Sequence, residues 1–338
     1  MILKNRLRLV FLAFLITSCS NDRLDVDVSD VDVKISFCDV RSSIVNSDPD
    51  KLVSEHTANR EKIGELYDYL IGYCFRIGNV DDSTFVESII LYRQDTIMRD
   101  VENQIDSEFS AGMKDFESNV TTAFQHLKYH LPKRETPEYI VYMNSLFRSN
   151  IFCTDKNIGI GLERYLGSDN HVIKKLDPTV FFQWVKDGMD PKFMERDVMT
   201  AWIETNIIEE EKGNLAERMI RWGKVLYLTE ASLPKVDKHL ILRYNEKDLE
   251  WAKENEPAFW KYLVDQKMLF AMDERNNMNI LNPGPTTPGL PTEGAPDRLG
   301  RYLGWTMVRN YMNEHDEVSM EDMIDLPYNT ILQEYETE

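Results

Sequence analysis

The chain of 338 residues carries 39 Lys and Arg against 58 Asp and Glu, a net charge of −19, with 42% apolar and 11% aromatic residues. So acidic a chain excludes a sequence-independent grip on nucleic-acid phosphates, and docking on an anionic bilayer through a basic patch, since both need clustered Lys and Arg. The apolar content excludes a disordered chain and suffices for a large globular core.

The first segment runs against this charge. Residues 1–18 hold Lys4, Arg6 and Arg8 and no acid, followed by an apolar run from Leu9 to Ile16. That run is too short for a hydrocarbon core, which takes about 20 residues, and has the form of a secretory signal. Ile16-Thr17-Ser18-Cys19 resembles a bacterial lipobox. The resemblance implies cleavage before Cys19, a diacylglycerol thioether on its sulfur and an acylated new N-terminus. Two or three acyl chains, at about 0.8 kcal/mol per buried methylene, make a stable anchor. Ser20 stands where an aspartate commonly retains lipoproteins in the inner membrane, which favours the outer membrane, facing the periplasm. The expected division is a signal peptide over 1–18, a lipidated N-terminus and acidic tether over 19–30, and a single globular domain over 31–338. Cys38, Cys74 and Cys153 show no CxxC spacing, and no disulfide framework is visible.

Alternation over Val31, Val33, Ile35 and Phe37 predicts a strand near 31–38. Helical spacing recurs from about Arg60 to 106. It is clearer over 111–131, where Met113, Phe116, Val120, Phe124, Leu127 and Leu131 share one side and Pro132 ends the run. Tyr139 to Met143 and Asn150 to Leu162 read as strands. Gly159 and Gly161 fall on one face, where a helix is expected to pack closely. Asp190 and Pro191 open a helix expected to reach residue 212, apolar on two sides and therefore central. Asn214 with Glu217 forms a capping box for the next. Later helices are expected over about 247–270 and 297–314, with Gly300 and Gly304 one turn apart for a close helix approach. Between them the proline-rich stretch 282–296 is expected as a lid, binding loop or spacer. The pattern predicts an α+β fold, mostly helical, with one small mixed or antiparallel sheet.

Candidate chemistry is sparse. His126 and His130 are four apart, as zinc ligands on a helix are, but Leu127 stands where a hydrolytic HExxH motif has glutamate. They read better as surface histidines flanking the apolar stripe, His130 suiting the helix C-terminus as a cation. Glu209, Glu210 and Glu211 crowd the end of the 191–212 helix and read as a solvated run. The sequence has no GxSxG elbow, P-loop or GxGxxG. No cofactor is expected.

GIGLERYLG (159–167), WAKENEPAFWKYLVDQKMLF (251–270), Pro283, Pro285 and PDRLGRYLGWTMVRNYM (296–312), with SMEDMIDLP behind, resemble the gliding-motility lipoprotein GldB family of the Bacteroidetes. The resemblance implies a lipid-anchored envelope protein that supports gliding and type 9 secretion through protein partners. The family also resembles, distantly, HExxH zinc proteases. By that likeness the fold is zincin-like without the metal motif, because Arg196-Asp197-Val198-Met199-Thr200 would occupy the metal-binding turn and neither end is histidine. Glu217 would be the third ligand, a role its capping box already displaces. The expected function is thus non-catalytic interaction with envelope proteins and the membrane, without nucleic acid. The alternative is a periplasmic enzyme with a degenerate zinc-protease-like cleft acting on an envelope polymer. Candidate cleft residues are Asp197, Thr200, Trp202, Glu217, Arg298 and Trp305, with the 282–296 loop and the surface near Trp305 as the rim.

Overall fold

The computed structural model of the protein describes residues 23–78, 82–209, 213–272, 274–288, 290 and 294–336. Cys19 with its lipobox, and Glu210 and Glu211, lie outside the described residues. Four strands form one mixed sheet: β1 (Ser36–Asp39), β2 (Tyr139–Met143), β3 (Ile151–Cys153) and β4 (Asn157–Gly161), in the order β1-β2-β4-β3. β1, β2 and β4 run parallel, and β3 pairs antiparallel with β4. The stretch expected as one strand over 150–162 is therefore a hairpin turning at 154–156. The first strand is shorter than its alternation predicts, because only Ser36–Asp39 meets a partner.

Both faces of the sheet are covered, which is why β4 is buried at every position. Ile140, Tyr142, Ile158 and Ile160 join the larger core, and Val141 and Met143 join a smaller one under the N-terminal helices. A Cβ on Gly159 would lie 2.7 Å from Leu66 Cδ1, so the glycine admits the Glu65–Asp68 turn, as expected. Gly161 serves a different end: a Cβ there would lie 2.3 Å from the Ser149 carbonyl oxygen, so this glycine admits the loop after β2.

Ten helices of two or more turns surround the sheet among the described residues. They are α1 (Leu52–Ile63), α2 (Phe85–Gln94), α3 (Thr96–Phe109), α4 (Met113–His130), α5 (Met194–Asn206), α6 (Leu215–Ser232), α7 (Glu246–Glu254), α8 (Glu256–Asp265), α9 (Glu274–Leu281) and α10 (Leu299–Glu314). The architecture is α+β, mostly helical with a small sheet, as the periodicity predicts. Two boundaries differ. The Asp190-capped helix stops at Asn206 rather than 212, because Ile207 and Ile208 both donate to the Ile203 carbonyl and turn their β-branched side chains into the core. Glu209 therefore stands beyond a helix end. The 247–270 helix is broken at Asn255, ahead of Pro257 at the start of α8.

α6 is the central element, buried along almost its whole length. It crosses α10 at Gly223 and Gly304, where backbone meets backbone: a Cβ on Gly304 would lie 1.8 Å from the Met219 carbonyl oxygen. Gly300, one turn earlier, faces Ile280 of α9. Packing on the domain begins as early as Leu24, which is buried with Val28. Arg23 donates to the carbonyls of Met312 and, at 2.8 Å, Val318, and Gln125 donates to the Val31 carbonyl. Among the described residues no helix is long and apolar enough to cross a membrane.

Candidate functional site

A cavity of about 1040 Å³ opens where segments distant in sequence converge. One wall is the proline-rich stretch, Pro283 to Pro288 with Leu290 and Gly294 to Pro296; the other is the turn from Trp184 to Met189 with Lys192 and Phe193. Arg243, Tyr244 and Arg298 line it as well. Two latches hold the proline-rich wall: Thr287 donates its N–H (3.0 Å) and hydroxyl (2.7 Å) to the Pro296 carbonyl, and the Asp297 carboxylate accepts from the Gly284 N–H at 3.0 Å. The described residues of the loop from Pro283 to Pro296 thus line the cavity.

Asp197 lies beneath the cavity. The Asp190 side chain accepts from the Lys192 N–H and starts the Pro191–Phe193 turn, which runs into α5 and puts Arg196 and Asp197 in its first turn. Asp197 Oδ1 accepts from Arg196 (2.9 Å) and Arg243 (3.1 Å), and Oδ2 from the Tyr165 hydroxyl (3.0 Å). Asn150 approaches Oδ2 at 3.5 Å. Burial alone would raise the Asp197 carboxyl, but Arg243 and Arg196 outweigh it and hold the group below its ordinary value. Burial likewise works against Arg243, where Asp197 and Tyr165 prevail and hold the guanidinium above its ordinary value. In the wholly enclosed Arg196 burial prevails and pulls the guanidinium down.

The arginines are tied to backbone too. Arg196 donates to the Ile241 carbonyl and Arg243 to that of Gly188, each at 2.7 Å, and Arg298 donates to the Arg243 carbonyl at 2.9 Å. Arg243 and Arg298 both have left-handed backbones, with φ of 59° and 54°. Such conformations cost non-glycine residues about 1 kcal/mol or more and persist where surrounding contacts fix them. Here those contacts are the bonds between the two residues and to Asp197 and Gly188.

Of the six candidate cleft residues, the structure joins Asp197 and Arg298, through Arg243. The other four lie elsewhere. Thr200 meets the Thr229 hydroxyl inside the helix layer, and Trp202 packs edge-on against Phe124 in the core. Glu217 accepts from the Asn214 N–H while the Asn214 side chain accepts from the Glu217 N–H, the expected capping box. Trp305 is not on the rim: it is buried and donates to Glu230, a fully buried carboxylate that also meets Lys238 at 2.7 Å and Arg309 at 3.2 Å. α6 covers that side of α10, so the surface near Trp305 does not reach the cavity.

The two histidines are not a surface pair. His126 is buried and His130 half-buried, because the segment around Leu24 lies over the end of α4. Burial lowers His126, and it carries His130 down to about 4. His130 is therefore neutral near pH 7 and offers the helix end no charge. Among the described residues no group of three or more His, Cys, Asp or Glu side chains is placed to hold a metal. Burial raises the Cys74 thiol to about 11 and the Cys153 thiol to about 12, which removes thiolate reactivity near neutral pH.

Sequence reading missed Asn150, Arg164, Tyr165, Lys192 and Arg243. Arg164 and Tyr165 sit within GIGLERYLG, so a signal was present there, whereas nothing local marks Arg243. No curated protein and no solved structure matches the chain. The description of the gliding motility protein GldB matches residues 21–336, nearly its whole length, and the chain belongs to that family.

Proposed function

We propose that this gliding-motility protein is a lipid-anchored component of the cell envelope that works without catalysis, by holding a partner of the motility and secretion apparatus in the cleft beneath the proline-rich wall. The observation that carries this reading is the state of Asp197. A general base needs a free lone pair and a pKa near the working pH. Asp197 has neither: two guanidinium groups, the Tyr165 hydroxyl and the Asn150 amide at 3.5 Å take up its oxygens, and its carboxyl is held low. The carboxylate acts as a strut that fixes the cleft floor.

The lipid anchor on Cys19 fits the way the chain enters the fold. Three residues separate Cys19 from Arg23, and the four steps between them reach roughly 14 Å at about 3.5 Å per residue. Arg23 is fixed to the carbonyls around Met312 and Val318. A thioether at Cys19 would therefore hold that end of α10 close to the bilayer rather than let the domain swing on a long tether. The outer membrane, facing the periplasm, is the favoured location.

The experiment is affinity capture from mildly cross-linked envelopes, comparing wild type with Cys19→Ala and with a deletion of 285–294. Motility or secretion components should come down with wild type and be lost from both variants while near-UV circular dichroism is retained. Wild type coming down alone overturns the reading. Capture unchanged by the deletion removes the cleft from it. The alternative, a periplasmic enzyme with a degenerate zinc-protease-like cleft, would require stoichiometric metal in protein purified without added metal.

A further inference from the structure

The cations around the cleft are not equally neutralised. Arg243 meets Asp197 at 3.1 Å, Arg298 meets Asp297 at 2.9 Å and Lys192 meets Asp190 at 3.0 Å. Arg164 differs. Among the described residues no carboxylate lies within 4 Å of it, and its one hydrogen bond is a long one, from Nη1 to the Phe147 carbonyl at 3.3 Å. Its Nε is buried without a partner. Its guanidinium lies over the Phe181 ring at 5.7 Å, which fixes the plane of the fork without discharging it.

The neighbouring acid, Glu163, favours the charged guanidinium but makes no ion pair with it within 4 Å and does not offset its burial. Glu163 accepts from the Ser145 and Phe147 N–H groups at 3.0 and 2.9 Å and is wholly buried. Burial raises its carboxyl above the ordinary value, towards the neutral form. Burial also pulls the half-buried Arg164 guanidinium below its ordinary value, against the opposing pull of Glu163 and Asp197. A guanidinium has five N–H donors in a planar fork that matches two carboxylate oxygens. Arg164 lines the cleft with most of those donors uncommitted.

The rest of the lining restricts the class of anion. Asp187 and Asp248 also line the cavity, and their charges disfavour a doubly charged phosphate there. One carboxylate answers one under-paired guanidinium. Phe193, Tyr244, Leu290 and the proline wall offer apolar surface beside it. We infer that the cleft binds its ligand through a single carboxylate seated on Arg164, the apolar remainder lying along that surface, so that the partner segment is a polypeptide end or side chain presenting one carboxylate. This rests on reading the cleft as the partner site.

The test uses the mature chain labelled with ¹⁵N in its arginine side chains. N-acetyl-leucine, N-acetyl-leucinamide and inorganic phosphate are titrated separately at constant ionic strength. The Arg164 Nε–H resonance is assigned by its loss in Arg164→Gln. N-acetyl-leucine should shift that resonance saturably, and the amide should bind at least about tenfold more weakly, as expected when a charge-assisted bidentate pair is lost. Arg164→Lys, which keeps the charge and loses the fork, should weaken the acid by a similar factor and guards against misfolding of the glutamine variant. No saturable shift, equal binding of acid and amide, or tighter binding of phosphate than of the acid overturns the inference. Envelope capture by Arg164→Gln separates the two claims. If the acid titration fails while capture persists, only the carboxylate inference is lost. If the titration succeeds while wild type captures nothing, the partner reading is lost and the site stands.

Discussion

Replacing Asp197 with asparagine keeps the volume of the side chain and removes the charge that two arginines share. The Asp197 side chain is 4% exposed, Arg196 8% and Arg243 22%, so little water is available to take over the lost interaction. Breaking a buried ion pair by removing one partner costs about 3–5 kcal/mol, because the remaining charge stays uncompensated. Both arginines keep one 2.7 Å bond to a backbone carbonyl, at Ile241 and Gly188, which places the expected loss near the lower end, about 3 kcal/mol. In a domain of this size that corresponds to a fall in Tm of roughly 5 °C. Urea unfolding of wild type, Asp197→Asn, Arg243→Gln and the double variant should give a coupling energy of about 2 kcal/mol between the two sites. The pH dependence carries a sign as well. The Asp197 carboxyl is depressed in the folded state, so its contribution is complete above the unfolded value near 4 and is lost as pH falls through the lower folded value. Asp197→Asn should flatten that part of the acid limb. A variant within about 0.5 kcal/mol of wild type, with an unchanged acid limb, would refute the strut.

Gly304→Ala would drive a Cβ into the Met219 backbone and separate α6 from α10; despite a helix-propensity gain of about 1 kcal/mol, a net loss of about 2 kcal/mol is expected in urea unfolding. His130 titrates near 4 when folded, against 6.5 ordinarily. The unfolded chain thus binds its proton first, and stability should fall by about 2–3 kcal/mol between pH 6.5 and 4, a slope that His130→Gln should reduce. Arg23→Ala removes the bonds to the carbonyls around Met312 and Val318 and should cost about 1–2 kcal/mol. It should also expose 24–33 to limited proteolysis, and an unchanged cleavage pattern would show that Leu24 and Val28 hold the segment without it.

The strand and helix periods, the caps at Asp190 and Asn214 and the wall-forming loop at 282–296 are legible in the sequence because each depends on residues a few positions apart. So is the need for close approach at Gly300 and Gly304, since a missing side chain matters whatever it meets. Which partner each glycine admits is not local: Gly300 faces α9 and Gly304 faces α6. The same limit explains the errors at Trp305, taken for the rim and found against Glu230, and at the histidines, taken for surface groups and found under the segment that begins at Arg23. The cleft floor lies furthest from sequence reading. Asn150, Tyr165, Asp197, Arg243 and Arg298 come from the loop after β2, the turn after β4, α5, the turn before α7 and the residue ahead of α10. Asp197, Arg298 and the segment of Tyr165 stand out through a family resemblance, but nothing in the residues around Asn150 and Arg243 marks them or shows that all five meet. Only the tertiary structure encloses them, and enclosure, by removing water, is what makes their charges bind one another and leaves Arg164 with no carboxylate within 4 Å among the described residues.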